Sequence, residues 1–185
     1  MLRNFIIRMC DIFFSLAFLF LFIPLLFFIL PLFLFEIKSL FFFQKRIGLN
    51  LKIFTLIKFR TMKIHTKSSA THLVNTSNIT YFGHFLRKSK LDETPQLLNV
   101  LIGHMSLVGP RPCLPNQKRL IIERKKRGIY KVKPGITGLA QVSGINMSRP
   151  VLLAKTDIKM IKQMNLFYYF YYIFKTVLLI IRKRS

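Results

Sequence analysis

The sequence predicts a small α/β domain, mostly helical, carried behind an N-terminal membrane helix. Three observations lead there. No charged residue lies between Asp11 and Glu36. The body that follows alternates short apolar stretches of helical and of strand period with polar turns. The chain then closes on an apolar, tyrosine-rich segment that ends Arg182-Lys183-Arg184. We therefore divide it into a membrane helix over residues 1–38 and a folded domain over residues 39–185.

The first element is the plainest. From Ile12 to Phe35 the apolar run is interrupted only by Ser15, Pro24 and Pro31. As a straight helix this run measures about 36 Å, against a bilayer core of about 30 Å. It is too long for a signal peptide and lacks a small-residue cleavage site. Arg3 and Arg8 precede the run, while Lys38, Lys45, Arg46 and Lys52 follow it, so flanking charge selects no orientation. Pro24 removes a backbone donor and predicts a kink. A helix that bends there and returns to its side of entry satisfies these residues, and so does a tilted spanning helix.

Beyond it, Phe41-Phe42-Phe43 leads into a basic turn over Gln44–Gly48, and Ile53–Phe59 alternates as a short strand. His65–Thr80 reads as a polar loop. Phe82–Leu86 forms a short amphipathic helix ending in Arg87-Lys88. A second helix runs from about Asp92 to Ile102, with Pro95 in its first turn and Gly103 as its stop. Lys118–Arg127 is a charged helix, Lys133–Gly138 a tight turn, and Leu139–Val142 a short strand. Leu166–Ile181 is short for spanning, and its tyrosines and basic end suit a helix lying at the head-group level.

Thirty Lys and Arg face six acids, for a net charge of +24. Such an excess points to nucleic acid, anionic lipid head groups or phosphate-bearing substrates. No nucleic-acid-binding motif accompanies it, so nucleic acid is not an expected partner. Two cysteines, Cys10 and Cys113, make no disulfide framework. The four histidines lack zinc-site spacing, and no glycine-rich phosphate loop is present.

The acids single out one place. Asp92 and Glu93 are adjacent in a chain with four other carboxylates. At a helix N-terminus, near Arg87, Lys88 and Lys90, both are expected to be ionised. An ionised Asp can attack phosphorus, and its neighbour can ligate a divalent ion. Acids in a first turn also serve as plain helix caps. Three cationic segments favour the chemical reading: Lys58-Phe59-Arg60-Thr61-Met62, Arg87-Lys88 and Gly109-Pro110-Arg111-Pro112. Each sets a cation on a short, turn-bounded stretch, and together they could cradle a pyrophosphate.

In this order the segments resemble the monotopic phosphoglycosyl transferases, the bacterial sugar transferase family. The shared motifs are Arg8-x-x-Asp11, Phe42-x-Gln44-x-Arg46-x-Gly48, Lys58–Met62, Leu91-Asp92-Glu93-x-Pro95-Gln96-Leu97-x-Asn99-Val100-Leu101, Met105-Ser106-x-Val108-Gly109-Pro110-Arg111-Pro112 and Pro134-Gly135-Ile136-Thr137-Gly138-x-Ala140-Gln141-Val142. The resemblance implies a re-entrant first helix kinked at Pro24, in the bacterial inner membrane with the site on its cytoplasmic face. It implies Mg²⁺-dependent transfer of a sugar 1-phosphate from a UDP-sugar to undecaprenyl phosphate, with UMP released, at the start of O-antigen, capsule or exopolysaccharide assembly. Asp92 would be the nucleophile, and Asp92 with Glu93 would hold the metal. Lys58, Arg60, Arg87, Arg111 and Gln141 would bind substrate, and downstream glycosyltransferases would be partners.

The chain departs from the family pattern at Ile23, where Ser is usual, around Lys38-Ser39, and at His104, which replaces an Asp. Ser143-Gly144-Ile145-Asn146 stands for the usual Asn-Gly-Arg-Asn. The loss of an acid at His104 is expected to weaken the metal site and raises an inactive, scaffolding relative as one rival reading; the charge alone raises a membrane-tethered nucleic-acid-binding protein as another.

Overall fold

The computed structural model describes residues 2–37, 39–63, 66 and 76–182. Most of the expected polar loop at His65–Thr80 falls outside the described residues, as do Lys38, Lys183 and Arg184. The fold is mixed α/β and largely helical. Helix α1 (Leu2–Ile37) carries Pro24 and Pro31 inside it. Its segment Arg3–Pro24 is the one helix among the described residues long and apolar enough to cross a membrane.

The base of α1 is tied into the domain by the Arg8-x-x-Asp11 spacing, which puts both side chains on one face. Arg8 donates to the carbonyls of Val100 (2.6 Å) and Leu101 (2.8 Å), covering the open C-terminal end of a helix that begins at Gln96. The buried Asp11 accepts from the Ser106 hydroxyl (3.0 Å), the Leu107 amide (2.9 Å) and the Tyr169 hydroxyl (2.8 Å). One acid thus joins three parts of the chain far apart in sequence.

Strands β1 (Phe41–Ile47) and β2 (Ile53–Phe59) form an antiparallel hairpin in which Phe41 faces Phe59 and Ile47 faces Ile53. The expected strand at 53–59 is present. The expected basic turn at Gln44–Gly48 is instead mostly strand. Gln44 and Arg46 point inward while Lys45 points out, because the buried guanidinium finds the Pro112 carbonyl (2.9 Å) and the Gln44 side chain.

Helix α2 (Tyr81–Ser89) is capped by the Thr80 hydroxyl, which accepts from the Gly83 amide at 3.0 Å. The next expected helix begins later than Asp92. Lys90 is left-handed (φ 60°), residues Leu91–Glu93 form one 3₁₀ turn, and helix α3 covers Gln96–Ile102 before stopping at Gly103. Asn99 fastens α3 to β2, accepting from the Ile57 amide and donating to the Thr55 carbonyl.

Strand β3 (Ser106–Val108) pairs in parallel with β4 (Gly135–Thr137). The Gly135 of the expected tight turn is thus the start of a strand. A Cβ on either Gly109 or Gly135 would collide with the other's backbone, so the crossing requires glycine. The expected strand at Leu139–Val142 is a short helix, α5. Thr137 completes the ladder with β3, and Leu139, Ala140 and Gln141 are good helix formers. Helix α4 (Lys118–Lys126) matches its expectation. Helix α6 (Pro150–Gln163), unread in the sequence, begins with its proline at the first position. Helix α7 (Leu166–Arg182) is the expected tyrosine-rich one. The main core gathers Phe54, Leu56, Val100, Met105, Leu107 and Tyr172, with Ile7 and Phe14 of α1 packed against it.

Candidate active site

The 3₁₀ turn Leu91–Glu93 holds the acid pair between α2 and α3, and both carboxyls are buried (8% and 9% exposed). Neither one caps α3. Glu93 receives Lys58 Nζ at 3.1 Å on Oε1, and the Arg111 guanidinium grips both of its oxygens. Asp92 makes no hydrogen bond or ion pair among the described residues, and its field is set by Lys58, Lys90 and Arg87. An unengaged, buried carboxylate among cations is what a nucleophile for a phosphate ester needs.

The two acids sit in different electrostatic surroundings. Burial pushes Asp92 up from the usual aspartate range and the Glu93 charge pushes it further, against Lys58, Lys90 and Arg87. Burial acts on Glu93 in the same direction. There Arg111 and then Lys58 outweigh it, and the carboxyl lies well below its usual range. Glu93 in turn raises Arg111, while burial lowers Lys58. Glu93 is thus the fixed anion of the pair, and Asp92 the one with a reactive electron pair to spare.

The cations come from well-anchored segments. Lys58 lies on β2. Arg87, at the last turn of α2, donates from Nε to the Thr61 hydroxyl at 2.8 Å. Arg111 sits on the Gly-Pro-Arg-Pro segment, whose carbonyls are held by two other arginines: Arg124 Nη1 on Arg111 O (2.7 Å) and Arg46 Nη1 on Pro112 O. Arg124 is itself paired with Asp157 of α6 at 2.7 Å, both nearly fully buried.

A cavity of about 430 Å³ opens beside the pair. Its polar end presents Glu93, Arg111, Lys88, Lys90 and Gln141; Asp92 is not among its walls. Gln141 donates to Gly109 O at 3.2 Å, and its Oε1 is a buried acceptor with no partner. The remaining wall is mixed: Phe18 and Phe22 of α1 and five residues of α7 make it mainly apolar, and Ser89, Thr94 and Thr137 add hydroxyls.

Of the residues selected from sequence, Lys58, Arg87, Asp92, Glu93, Arg111 and Gln141 therefore gather around one turn. Arg60 does not line the cavity; its guanidinium stacks on the Phe42 ring at 5.6 Å. His104 is exposed, rests against Phe54 and lies outside the cavity wall. Pro24 stands two residues past Phe22, which does line it. Sequence reasoning gave no role to Arg124, Asp157 or Arg46, whose partners lie far along the chain.

The chain matches the bacterial sugar transferase family over residues 2–183 and belongs to it. It is 50% identical over 106 residues to EpsL of Bacillus subtilis (strain 168), an uncharacterized sugar transferase, covering 57% of this chain and 52% of that one. It is 46% identical over 119 residues to the UDP-glucose:undecaprenyl-phosphate glucose-1-phosphate transferase of Xanthomonas campestris pv. campestris, covering 60% and 24%. It is 34% identical over 156 residues to the exopolysaccharide production protein ExoY of Rhizobium meliloti (strain 1021), covering 75% and 69%. The chain thus spans about half the length of EpsL and about a quarter of the Xanthomonas enzyme.

Proposed function

We propose that this protein transfers a sugar 1-phosphate from a UDP-sugar to undecaprenyl phosphate, as the membrane step that begins a surface polysaccharide. The observation that carries the reading is the free carboxylate of Asp92 beside a neutralised Glu93, within a ring of Lys58, Arg87, Lys90 and Arg111. The names of relatives acting on UDP-glucose and undecaprenyl phosphate support the substrate classes.

An Asp92 oxygen attacks the sugar-bearing phosphorus. The P–O bond to the bridging oxygen breaks, and UMP leaves with that oxygen and its electron pair. An oxygen of the lipid phosphate then attacks the same phosphorus. The acyl-phosphate bond breaks, the Asp92 carboxylate returns, and the product is a lipid diphosphosugar. Arg87 and Lys90 meet the donor diphosphate, Arg111 and Lys58 fix Glu93 and the charge around it, and the Gln141 oxygen accepts from a substrate hydroxyl or N–H. Arg60, held on Phe42, acts outside this set.

Mg²⁺ takes one or two carboxylates, keeps several waters and shares substrate phosphates. The unengaged Asp92 carboxylate fits that donor set. Glu93 fits it only where Arg111 releases an oxygen. Held by Asp92 and Glu93, the ion would supply positive charge against the diphosphate and ease UMP departure.

We place the domain of residues 39–185 on the cytoplasmic face of the inner membrane, with α1 re-entrant and bent at Pro24, where later glycosyltransferases can take up the product. Support comes from cations on both flanks of the apolar run and from Arg8 and Asp11, which hold the N-terminal end of α1 against the domain. Two assays test this. A screen of UDP-sugars with undecaprenyl phosphate should yield UMP and lipid-linked sugar for at least one donor; release with none sinks the reaction. A single cysteine at Asn4, in a chain without Cys10 and Cys113, should resist an impermeant maleimide on intact cells; labelling from outside rules out the re-entrant helix.

A further inference from the structure

The side of the cavity formed by α7 has a regular pattern. Ile173, Thr176, Val177 and Ile180 of α7 all line it. Their spacing of three, four and seven makes one helical face, about 10 Å long. Phe18 and Phe22, one turn apart on α1, line the same cavity. The two helices meet at a T-shaped contact between Phe14 and Phe170, with ring centroids 5.7 Å apart. The trough they line also carries the cations Lys88, Lys90 and Arg111.

Several side chains in the trough are unusually placed for a domain core. Val177 is 44% exposed and Phe18 41% exposed, although both face the cavity. Thr176 fixes the register of α7: its hydroxyl bonds Thr137 of β4 and also donates to the Tyr172 carbonyl at 2.8 Å. α7 is therefore tied to β4, four residues before Gln141.

We propose that this trough between α1 and α7 holds the phosphate-proximal part of the polyprenyl chain of the acceptor, so that α7 is a substrate-binding helix that sets acceptor specificity. This rests on the function proposed above. The occupant follows from the chemistry of the lining. A lipid monophosphate has one anionic end and one branched apolar chain, and the one cavity combines Lys88, Lys90 and Arg111 with aliphatic and aromatic side chains of α1 and α7. A nucleotide base or a sugar would leave its polar edges unpaired against Val177, Ile180 and Phe18. The apolar wall also continues into α1, the membrane helix, so a chain leaving the trough passes into lipid without crossing water.

The test uses the full-length membrane protein and undecaprenyl phosphate bearing a diazirine near its phosphate end. Photolysis should label the peptide containing α7. Excess undecaprenyl phosphate should suppress the label, and excess dioleoyl phosphatidic acid should not. V177W and I173W, each filling the trough, should lower labelling and raise the KM for undecaprenyl phosphate by about tenfold or more. UMP exchange into the UDP-sugar, measured without any lipid acceptor, should change less than twofold in both. Equal suppression by phosphatidic acid would show a general phospholipid groove and overturn the proposal. So would an unchanged lipid KM in both variants, or exchange falling in step with transfer. Specific labelling of a protein that transfers no sugar would keep the trough and discard the reaction.

Discussion

Two buried acid–cation clusters stand close together in this molecule and are built differently. Asp157 and Arg124 form a closed pair, one charge against one, with neither side chain more than 2% exposed. Around Asp92 and Glu93 the cations Lys58, Arg87, Lys90 and Arg111 outnumber the acids, and the cluster opens on a cavity. The closed pair is at rest. The open one is short of negative charge, which the diphosphate of the proposed donor would supply. The two are joined through the Arg111 carbonyl, which Arg124 holds from below while the Arg111 guanidinium grips Glu93. The structural pair thus aims the functional one.

Breaking the open cluster should have the largest effect on rate. R111M removes the cation that holds Glu93, and UMP release should fall by about 10²–10³-fold while the protein still folds. A rate within threefold of wild type would show that Arg111 is not part of the machinery.

The closed pair should respond in stability instead. D157N leaves Arg124 buried and uncompensated, a change costing about 3–5 kcal/mol. The double variant R124M/D157L replaces the pair with apolar side chains and should recover most of that loss in thermal unfolding. Its transfer rate should still drop about tenfold, because the Arg111 carbonyl has lost its donor. Full recovery of both stability and rate would mean that Arg124 does not position Arg111.

A smaller effect separates the two acids by pH. Asp92 must be ionised to attack, and its carboxyl is raised by burial and by Glu93, so the acid limb of the UMP-release rate should lie above the ordinary aspartate value of about 3.9. K90M removes a cation that favours the ionised form and should move that limb to higher pH. Glu93 works in the opposite sense: lowered in the fold, it stabilises the protein above its unfolded value and loses that contribution as pH falls. A limb that stays in place in K90M would show that Asp92 does not set it.

The sequence was most legible where one residue decides its own surroundings. The apolar run of α1, the β2 alternation, the Gly103 stop and the acid pair were all readable from local pattern. The hairpin strand β1 was harder, because Arg46 points inward, and only the distant Pro112 carbonyl makes that tolerable. Strand β4 and helix α5 exchanged roles with what local propensity suggested, since the β3 pairing that ends at Thr137 lies about thirty residues upstream. The Arg124–Asp157 pair was invisible for the same reason: its partners are 33 positions apart and act on a third residue. His104 was the opposite case, a local departure from a motif that the fold turns away from the cavity.

In the proposed reaction Asp92 carries the phosphosugar between donor and acceptor, and isotope exchange isolates that step. Labelled UMP should enter the UDP-sugar in the complete absence of lipid phosphate, since the first half of the reaction is reversible on the enzyme alone. D92N should show no exchange, and E93Q should retain a slow one. Exchange that appears only when undecaprenyl phosphate is added, or that persists in D92N, would contradict the covalent intermediate and remove Asp92 from the centre of the reaction.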